Sequence, residues 1–244
     1  GYVEVPQLFG AGNPVTNQLT IQYWANLNAN NYANDHRIFS SGSTGENQVL
    51  LWSDNHDGIA FVVRTSSGGR GRINSSYSAT GWVQLTGTWD GTTGEMRMYA
   101  NGVLLGTTNH VGSGELVNAG PVMFIGRDDN PNYGKFAGEI DEVRIYNRVL
   151  DIDEINEKRC GELNPGSENG LVLYYDFNDV TNPTPGSTVQ NQGSEGATYD
   201  GTVGGSNGNT SIMTADIECV DAEVTDNYSC DAGNPTGSVD ISDN

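Results

Sequence analysis

Between Leu85 and Thr107 the chain reads LTGTWDGTTGEMRMYANGVLLGT, and this stretch limits the fold more than any other. Apolar and polar residues alternate along it, which puts successive side chains on opposite faces of a strand. Trp89-Asp90-Gly91 and Asn101-Gly102 punctuate the alternation. Gly and Asn tolerate the positive φ that tight hairpin turns demand. A chain written this way folds as antiparallel strands joined by short turns.

Similar runs recur along residues 2–5, 19–27, 36–41, 48–52, 59–64, 82–89, 95–100, 103–108, 122–125 and 137–146. That spacing is the one expected of a sandwich. In QLTIQYWANL, Leu19, Ile21, Tyr23 and Ala25 take one face while Thr20, Gln22 and Trp24 take the other. Trp24 and Trp82 therefore read as packing residues. Near the close of this part, Ile140, Val143, Ile145 and Val149 mark a strand running into residues 151–157, where Ile152 and Ile155 stand three apart. Those last residues are the one credible helix, and a short one.

Three phrases carry a family resemblance: TWDG…MRMYANG, IGR at Ile125 to Arg127, and GEIDEVRIYNR from Gly138. On them, about residues 2–157 resemble the laminin G-like branch of the concanavalin A-like lectin/glucanase superfamily. The resemblance implies an all-β fold, two antiparallel sheets stacked as a β-sandwich of the jelly-roll kind. The order of the parts departs from the family. Its members usually begin with a strand like GLVAYYPFN, then a Gly/Asn loop, and only then a phrase like YVEVP. Here YVEVP opens the chain at Tyr2, and the expected opening comes late, as GLVLYYDFN at 170–178 followed by QNQGSEGATYDGTV at 190–203.

The domain plan that follows has four parts: a sandwich lacking its first strand over 1–159, a linker over 160–169, the displaced first-strand segment over 170–203, and an acidic Gly/Ser/Asn-rich tail over 204–244. A sandwich without its first strand exposes a raw sheet edge. LVLYYDF could fill that vacancy in its own chain, as a permuted domain. It could instead enter the next molecule, giving head-to-tail strand donation and an open filament through residues 170–178. It could also begin a second copy that is cut short.

Charge narrows the partners. The net charge is −20, and residues 160–244 hold 14 of the 31 acidic residues and no Lys or Arg. Residues 1–159 hold the other 31 − 14 = 17 together with all 11 basic residues. Such a field repels nucleic acid and anionic lipid. It suits divalent cations or high salt outside the cell. No run of 18 apolar residues exists, so no membrane span is expected. Gly1 opens directly into a strand-like run, as expected of a mature or excised piece. The three cysteines, Cys160, Cys219 and Cys230, lie outside the family phrases as disulfide candidates. Two pairings stay open: Cys160–Cys219, stapling back to front, or Cys219–Cys230, closing a small tail loop.

Glycoside hydrolases in this superfamily set two carboxylates across a cleft, in retaining members often as Glu-x-Asp-x-x-Glu. Glu139-Ile140-Asp141-Glu142 is the nearest match, but it stands on the family's terminal strand. His36, His56 and His110 are scattered, with no nucleophile signature beside them. A non-catalytic module is expected. The resemblance also implies a structural Ca²⁺ pinning the last strand to the first strand and its loop, with Asp141, Asp176, Asn178 and Asn191 as ligands. Hard oxygen donors of this kind suit Ca²⁺.

A second oxygen-rich group, Asp54, Asn55 and Asp57 with Asp128, Asp129 and Asn130, follows strands and could share one rim, where related proteins bind sugar. Trp52 and Tyr133 would supply aromatic faces there. Hairpin loops are also built from Asp, Asn and Gly. Arg64, Arg70 and Arg72 flank Ser66-Ser67-Gly68-Gly69, a positive loop that could meet an acidic glycan or an acidic tail. The expected function is calcium-stabilised adhesion outside the cell, to a glycan, a matrix or a cell-surface ligand. The alternative is a structural filament subunit.

Overall fold

The alternating stretches become strands throughout. The computed structural model describes residues 1–32, 36–42, 49–54, 58–109, 114–118, 120–128, 134–160, 163–180, 183–205, 211–212 and 239–240. Its strands are β1 (Tyr2–Pro6), β2 (Gln18–Leu27), β3 (His36–Ser41), β4 (Val49–Asp54), β5 (Gly58–Arg64), β6 (Arg70–Ser75), β7 (Gly81–Asp90), β8 (Glu95–Ala100) and β9 (Val103–Asn109). There follow β10 (Val122–Ile125), β11 (Gly134–Lys135), β12 (Glu139–Tyr146), β13 (Leu171–Tyr175), β14 (Thr188–Val189), β15 (Gly201–Gly204), β16 (Ser211–Ile212) and β17 (Val239–Asp240). The one α-helix among the described residues is α1 (Ile152–Glu157).

These strands form two sheets. One runs β14-β15-β1-β10-β3-β4-β5-β6, with β11 beside β3; the other runs β16-β17-β12-β2-β7-β8-β9, with β13 beside β12. The pairings are antiparallel apart from β11 with β3 and an isolated bridge between Phe9 and Val15. The fold is the expected all-β sandwich. β2 and β7 pair over ten residues, from Gln18 opposite Asp90 to Leu27 opposite Gly81.

The core lies between the sheets. Leu19, Ile21, Tyr23, Ala25, Leu85, Trp89 and Met98 meet Val3, Val5, Ile38, Leu51, Phe61, Val63 and Ile125 from the other side. Burial of this kind stabilises by about 25 cal/mol per Å² of apolar surface removed from water. Tyr23 crosses the core and donates its hydroxyl to the Leu51 carbonyl at 2.8 Å, so burying it leaves no polar group unmatched. Gly87 is required where it stands, because a Cβ there would lie 2.7 Å from the Phe61 ring.

The displaced segment packs onto its own chain. β13 runs antiparallel to β12, with Val143 opposite Tyr175 and Ile145 opposite Leu173. β15 pairs with β1, setting Val203 against Val3. All five β13 residues are buried. Leu173 and Tyr175 belong to the central core. Leu171 and Tyr174 join a second cluster with Tyr99, Tyr146, Leu150 and Ile155 beneath α1. Burial on both faces explains why LVLYY is a continuous apolar run rather than an alternating one.

α1 begins where a capping box places it. The Glu154 N–H donates to Asp151 Oδ1 at 2.9 Å, and the Asp151 N–H donates to Glu154 Oε2 at 3.2 Å. Trp24 packs as expected, buried and donating its ring N–H to the Arg159 carbonyl at 3.0 Å. One expectation needs correction: Arg70 and Arg72 stand on a strand, β6, rather than in a flexible loop. RGRINS alternates outward Arg70, Arg72 and Asn74 with inward Gly71 and Ile73, but its apolar signal is a single isoleucine.

Candidate functional site

The last family strand and the displaced strand meet at a corner rich in carboxylates. The register that pairs Val143 with Tyr175 brings Asp141 and Glu142 level with Asp176 and Phe177, just beyond β13. Each side of the corner carries a left-handed residue, Glu142 at φ 53° and Phe177 at φ 55°. Neither is glycine, and such a conformation costs about 1 kcal/mol or more for a residue with a side chain. At Glu142 an irregularity in β12 sends two consecutive acids to different partners.

Asp141 accepts the Glu142 N–H through Oδ1 at 2.8 Å, while its buried Oδ2 meets no donor among the described residues. Burial pushes the Asp141 carboxyl well above its usual range, and the charges of Glu142 and Asp176 push it further. Glu142 goes to a different place. Its carboxylate accepts the Tyr174 hydroxyl at 2.9 and 3.0 Å and pairs with the Arg144 guanidinium. Burial raises the Glu142 pKa, and the charge and hydrogen bond of Arg144 only partly offset this. Arg144 in turn donates to the Lys158 carbonyl, tying β12 to the end of α1.

Asp176 accepts the Asn178 N–H at 3.1 Å through Oδ1, and the Gln192 side-chain amide through Oδ2. Asp179 and Asp200 extend the acidic surroundings; they accept the Gln190 and Asn191 N–H groups, each at 2.8 Å. Burial raises the Asp179 pKa, and the Asp176 charge adds to the effect.

Asn191, expected as a ligand, is a brace. Its Oδ1 accepts the N–H groups of Tyr174 and Gly193, both at 2.9 Å. Its Nδ2 donates to the carbonyls of Val172 at 3.1 Å and Gly196 at 3.2 Å. Four backbone bonds occupy the side chain, so it fastens the 191–200 loop to β13 rather than offering a lone pair to an ion.

The remaining donors fit a hard cation. Asp141 presents a buried oxygen without a donor, with Asp176 close enough for its charge to be felt. No three His, Cys, Asp or Glu side chains gather into a ready cage among the described residues. An ion here would draw its remaining donors from main-chain carbonyls and water, which suits calcium better than a soft metal.

The expected sugar-binding rim is not assembled by the described residues. Trp52 is 1% exposed, with the guanidinium carbons of Arg37 and Arg72 at 4.5 and 5.0 Å from its ring centre. It offers no open platform for a pyranose. Asp128 is buried, with Arg37 Nε and Ser40 Oγ both 3.4 Å from its Oδ2. Asp54 ends β4, and its side chain lies outside the described residues, as do Asn55, Asp57, Asp129, Asn130 and Tyr133.

An open cleft occurs elsewhere, between β6 and β9, the edge strands of the two sheets. It spans about 590 Å³ and is lined by turn residues 67–69, by residues 70–72 of β6 and by Thr108 and Asn109 of β9. The turn is held from two sides. Gly68 donates to the Thr65 carbonyl at 3.0 Å, and Ser66 donates to the Glu115 carbonyl at 2.9 Å. Thr108 and Asn109 escape sequence reading because they look like the tail of an ordinary strand.

Comparison with known proteins follows the fold. A family model of the concanavalin A-like lectin/glucanases superfamily, of laminin G type, matches residues 1–156. The chain belongs to that superfamily. Human pentraxin-related protein PTX3 is 25% identical to this laminin G-like chain over 163 residues, 62% of the chain and 42% of that protein. Mouse pentraxin-related protein PTX3 is 33% identical over 82 residues, 30% of the chain and 22% of its own length. The chain thus spans less than half of either relative. Among solved structures, a candidate carbohydrate-binding protein from Bacteroides ovatus aligns with a TM-score of 0.61 at 19% identity, covering 82% of this chain and 55% of that one. The binding domain of botulinum neurotoxin DC in complex with SialylT aligns at 0.50 and 19%, covering 72% and 44%. At such identities the likeness is one of fold.

Cys160 is disulfide-bonded, so a pairing of Cys219 with Cys230 alone does not hold. Its partner lies outside the described residues. No helix among the described residues is long and apolar enough to cross a membrane.

Proposed function

We propose that this chain is a non-catalytic carbohydrate-binding module working outside the cell, stabilised by a calcium ion at the Asp141–Asp176 corner. The observation that carries the binding reading is the cleft between β6 and β9. Its described lining offers hydroxyl, amide, guanidinium and backbone groups and no carboxylate. Such a surface hydrogen-bonds a polyol but supplies no acid–base pair to cleave one. The acids nearest to a hydrolase pattern are committed elsewhere: Glu139 accepts the Asn26 amide at 2.5 Å, and Glu142 is buried against Arg144 and Tyr174.

Two further observations support the setting. The disulfide at Cys160 suits an oxidising compartment. The pairing of β13 with β12 lets the displaced segment complete its own sandwich, so strand donation to a neighbour is not needed to fill the edge. The calcium reading rests on the donor-free Asp141 oxygen and on the two left-handed residues that aim the corner. When bound, the ion would neutralise crowded carboxylates and hold the 170–203 ribbon to the last family strand.

The test is a panel of plant, microbial and animal glycans presented to the whole chain, in calcium and in chelator. Retention of a defined glycan supports the module. No retention under either condition contradicts it.

A further inference from the structure

We infer that the junction of the β8–β9 hairpin tip with α1 docks an apolar, basic segment of another protein. This place is separate from the cleft described above, which uses Thr108 and Asn109 at the far end of β9. Three large hydrophobic side chains are exposed among the described residues: Val103 at 65%, Leu104 at 51% and Ile152 at 40%. Scattered singly, such residues need no explanation; gathered in one place, they mark an interaction surface.

They are gathered. Val103 and Leu104 follow the Asn101-Gly102 turn, and that turn rests on α1. A Cβ on Gly102 would collide with the Asn156 side chain. Arg159, just past α1, donates to the Asn101 carbonyl at 2.8 Å. Ile152 stands four residues before Asn156 on the same helix face, where Cβ atoms lie about 5–6 Å apart. From the sheet side, Leu104 lies opposite Tyr99, which packs with Ile155 beneath α1. Directly opposed residues share a face, so Leu104 borders the cluster that α1 covers.

The hairpin also leaves a strand edge open. Edges are normally short, charged or covered. Here β14 and β16 are two residues long, and β6 carries Arg70 and Arg72. The outer edge of β13 is covered by the 191–194 loop, whose Asn191 and Gln192 bond Tyr174 while Ser194 bonds Leu171. β9, VLLGTTN, has no charge, no proline and no buried residue, and no strand lies beyond it among the described residues. A bulge at Leu105 interrupts its ladder with β8. An added segment therefore finds only a short run of backbone beside Val103 and Leu104, and side chains carry most of the contact.

Charge decides the chemistry of the occupant. Asp153, three residues before Asn156, and Glu157, next to it, are exposed, and no ion pair holds either among the described residues. The neighbouring cations are taken: Arg148 pairs with Glu154, Lys158 with Glu168 and Arg97 with Glu95. An apolar patch rimmed by unpaired carboxylates, on a chain of net charge −20, favours a partner with Lys or Arg among its apolar residues. The same charges disfavour a second copy of this chain.

The test is selection of a displayed library of random peptides on the whole chain, with Leu104→Gln and Ile152→Gln as parallel targets. Both side chains are exposed and belong to different elements, and unchanged melting temperatures confirm that the variants fold. The expected result is enrichment on the wild type of peptides that mix apolar residues with Lys or Arg. Each variant should bind the leading peptide about tenfold more weakly, and high salt should weaken it further. Enrichment of neutral or acidic peptides overturns the inference. So does an absence of enriched peptides, or binding as tight to both variants as to the wild type. Sedimentation of the chain alone supplies the last outcome: a dimer abolished by Leu104→Gln assigns the patch to a second copy and contradicts the inference. None of these results bears on the glycan panel, so the carbohydrate reading stands or falls separately.

Discussion

Tyr174 donates its hydroxyl to both carboxylate oxygens of Glu142, at 2.9 and 3.0 Å, across the junction of the last family strand and the displaced one. Arg144 closes the same group from the strand that carries Glu142. A buried carboxylate is tolerated only while its partners hold, because the cost of leaving one unmatched exceeds the worth of the bond. Tyr174→Phe keeps the ring and removes one donor. The expected loss is about 1–3 kcal/mol in urea unfolding, with little change in the denaturant slope.

Asn191 should prove more sensitive than an ordinary loop asparagine. Asn191→Ala leaves two N–H groups and two carbonyls beside β13 without their present partner. A loss of about 2–4 kcal/mol is expected, taking about 1 kcal/mol for each bond less some relief by water. Asn191→Asp keeps the acceptor but removes both donations, and should fall between the alanine variant and the wild type in thermal unfolding.

Asp141→Asn should have opposite effects with and without calcium. The wild-type carboxylate is buried beside the charges of Glu142 and Asp176. Without calcium, removing that charge is expected to leave the melting temperature unchanged or raise it. With calcium, the wild type should gain several degrees and the variant none. Scanning calorimetry with chelator and with millimolar calcium reads both effects.

The pH dependence has a definite sign. Burial raises the Asp141 pKa above its unfolded value of 3.8, so between the two values the folded state holds more protons than the unfolded one. Stability from this group therefore falls as pH rises through that window. Calcium, which needs the ionised carboxylate, should reverse the trend. Its stabilising effect should be greatest near neutral pH and absent near about pH 4. Glu154 works the other way, because its hydrogen bond with Arg148 lowers its pKa; the pair is partly exposed and its effect is small. Melting temperatures at a series of pH values, with and without calcium, check the reversal.

Much of this was legible in the residues. Alternation and turn pairs gave the sandwich strands within a residue or two, and Asp151 with Glu154 marked the start of α1. LVLYYDF showed itself as a strand. What escaped depends on what faces what. Trp52 looked like a sugar platform because burial on the outer face of a sheet leaves no mark on a period-two pattern. Asn191 looked like a ligand because the formula of its side chain does not reveal that backbone groups have taken it. Arg70 and Arg72 passed for loop residues since only Ile73 signalled the inward face. Glu142 was read only as part of a near match to a hydrolase pattern; a left-handed residue in a strand irregularity that sends two neighbouring acids to different partners cannot be read from their types.

Amide hydrogen exchange over residues 171–175 tests the central claim, that the late ribbon closes the sandwich of its own chain and builds the corner that binds calcium. The expected result, on the monomeric chain, is protection of these amides comparable to that of β12, with a further slowing on addition of calcium. Exchange at the rate of an unstructured peptide, or protection that appears only in oligomers, would contradict it.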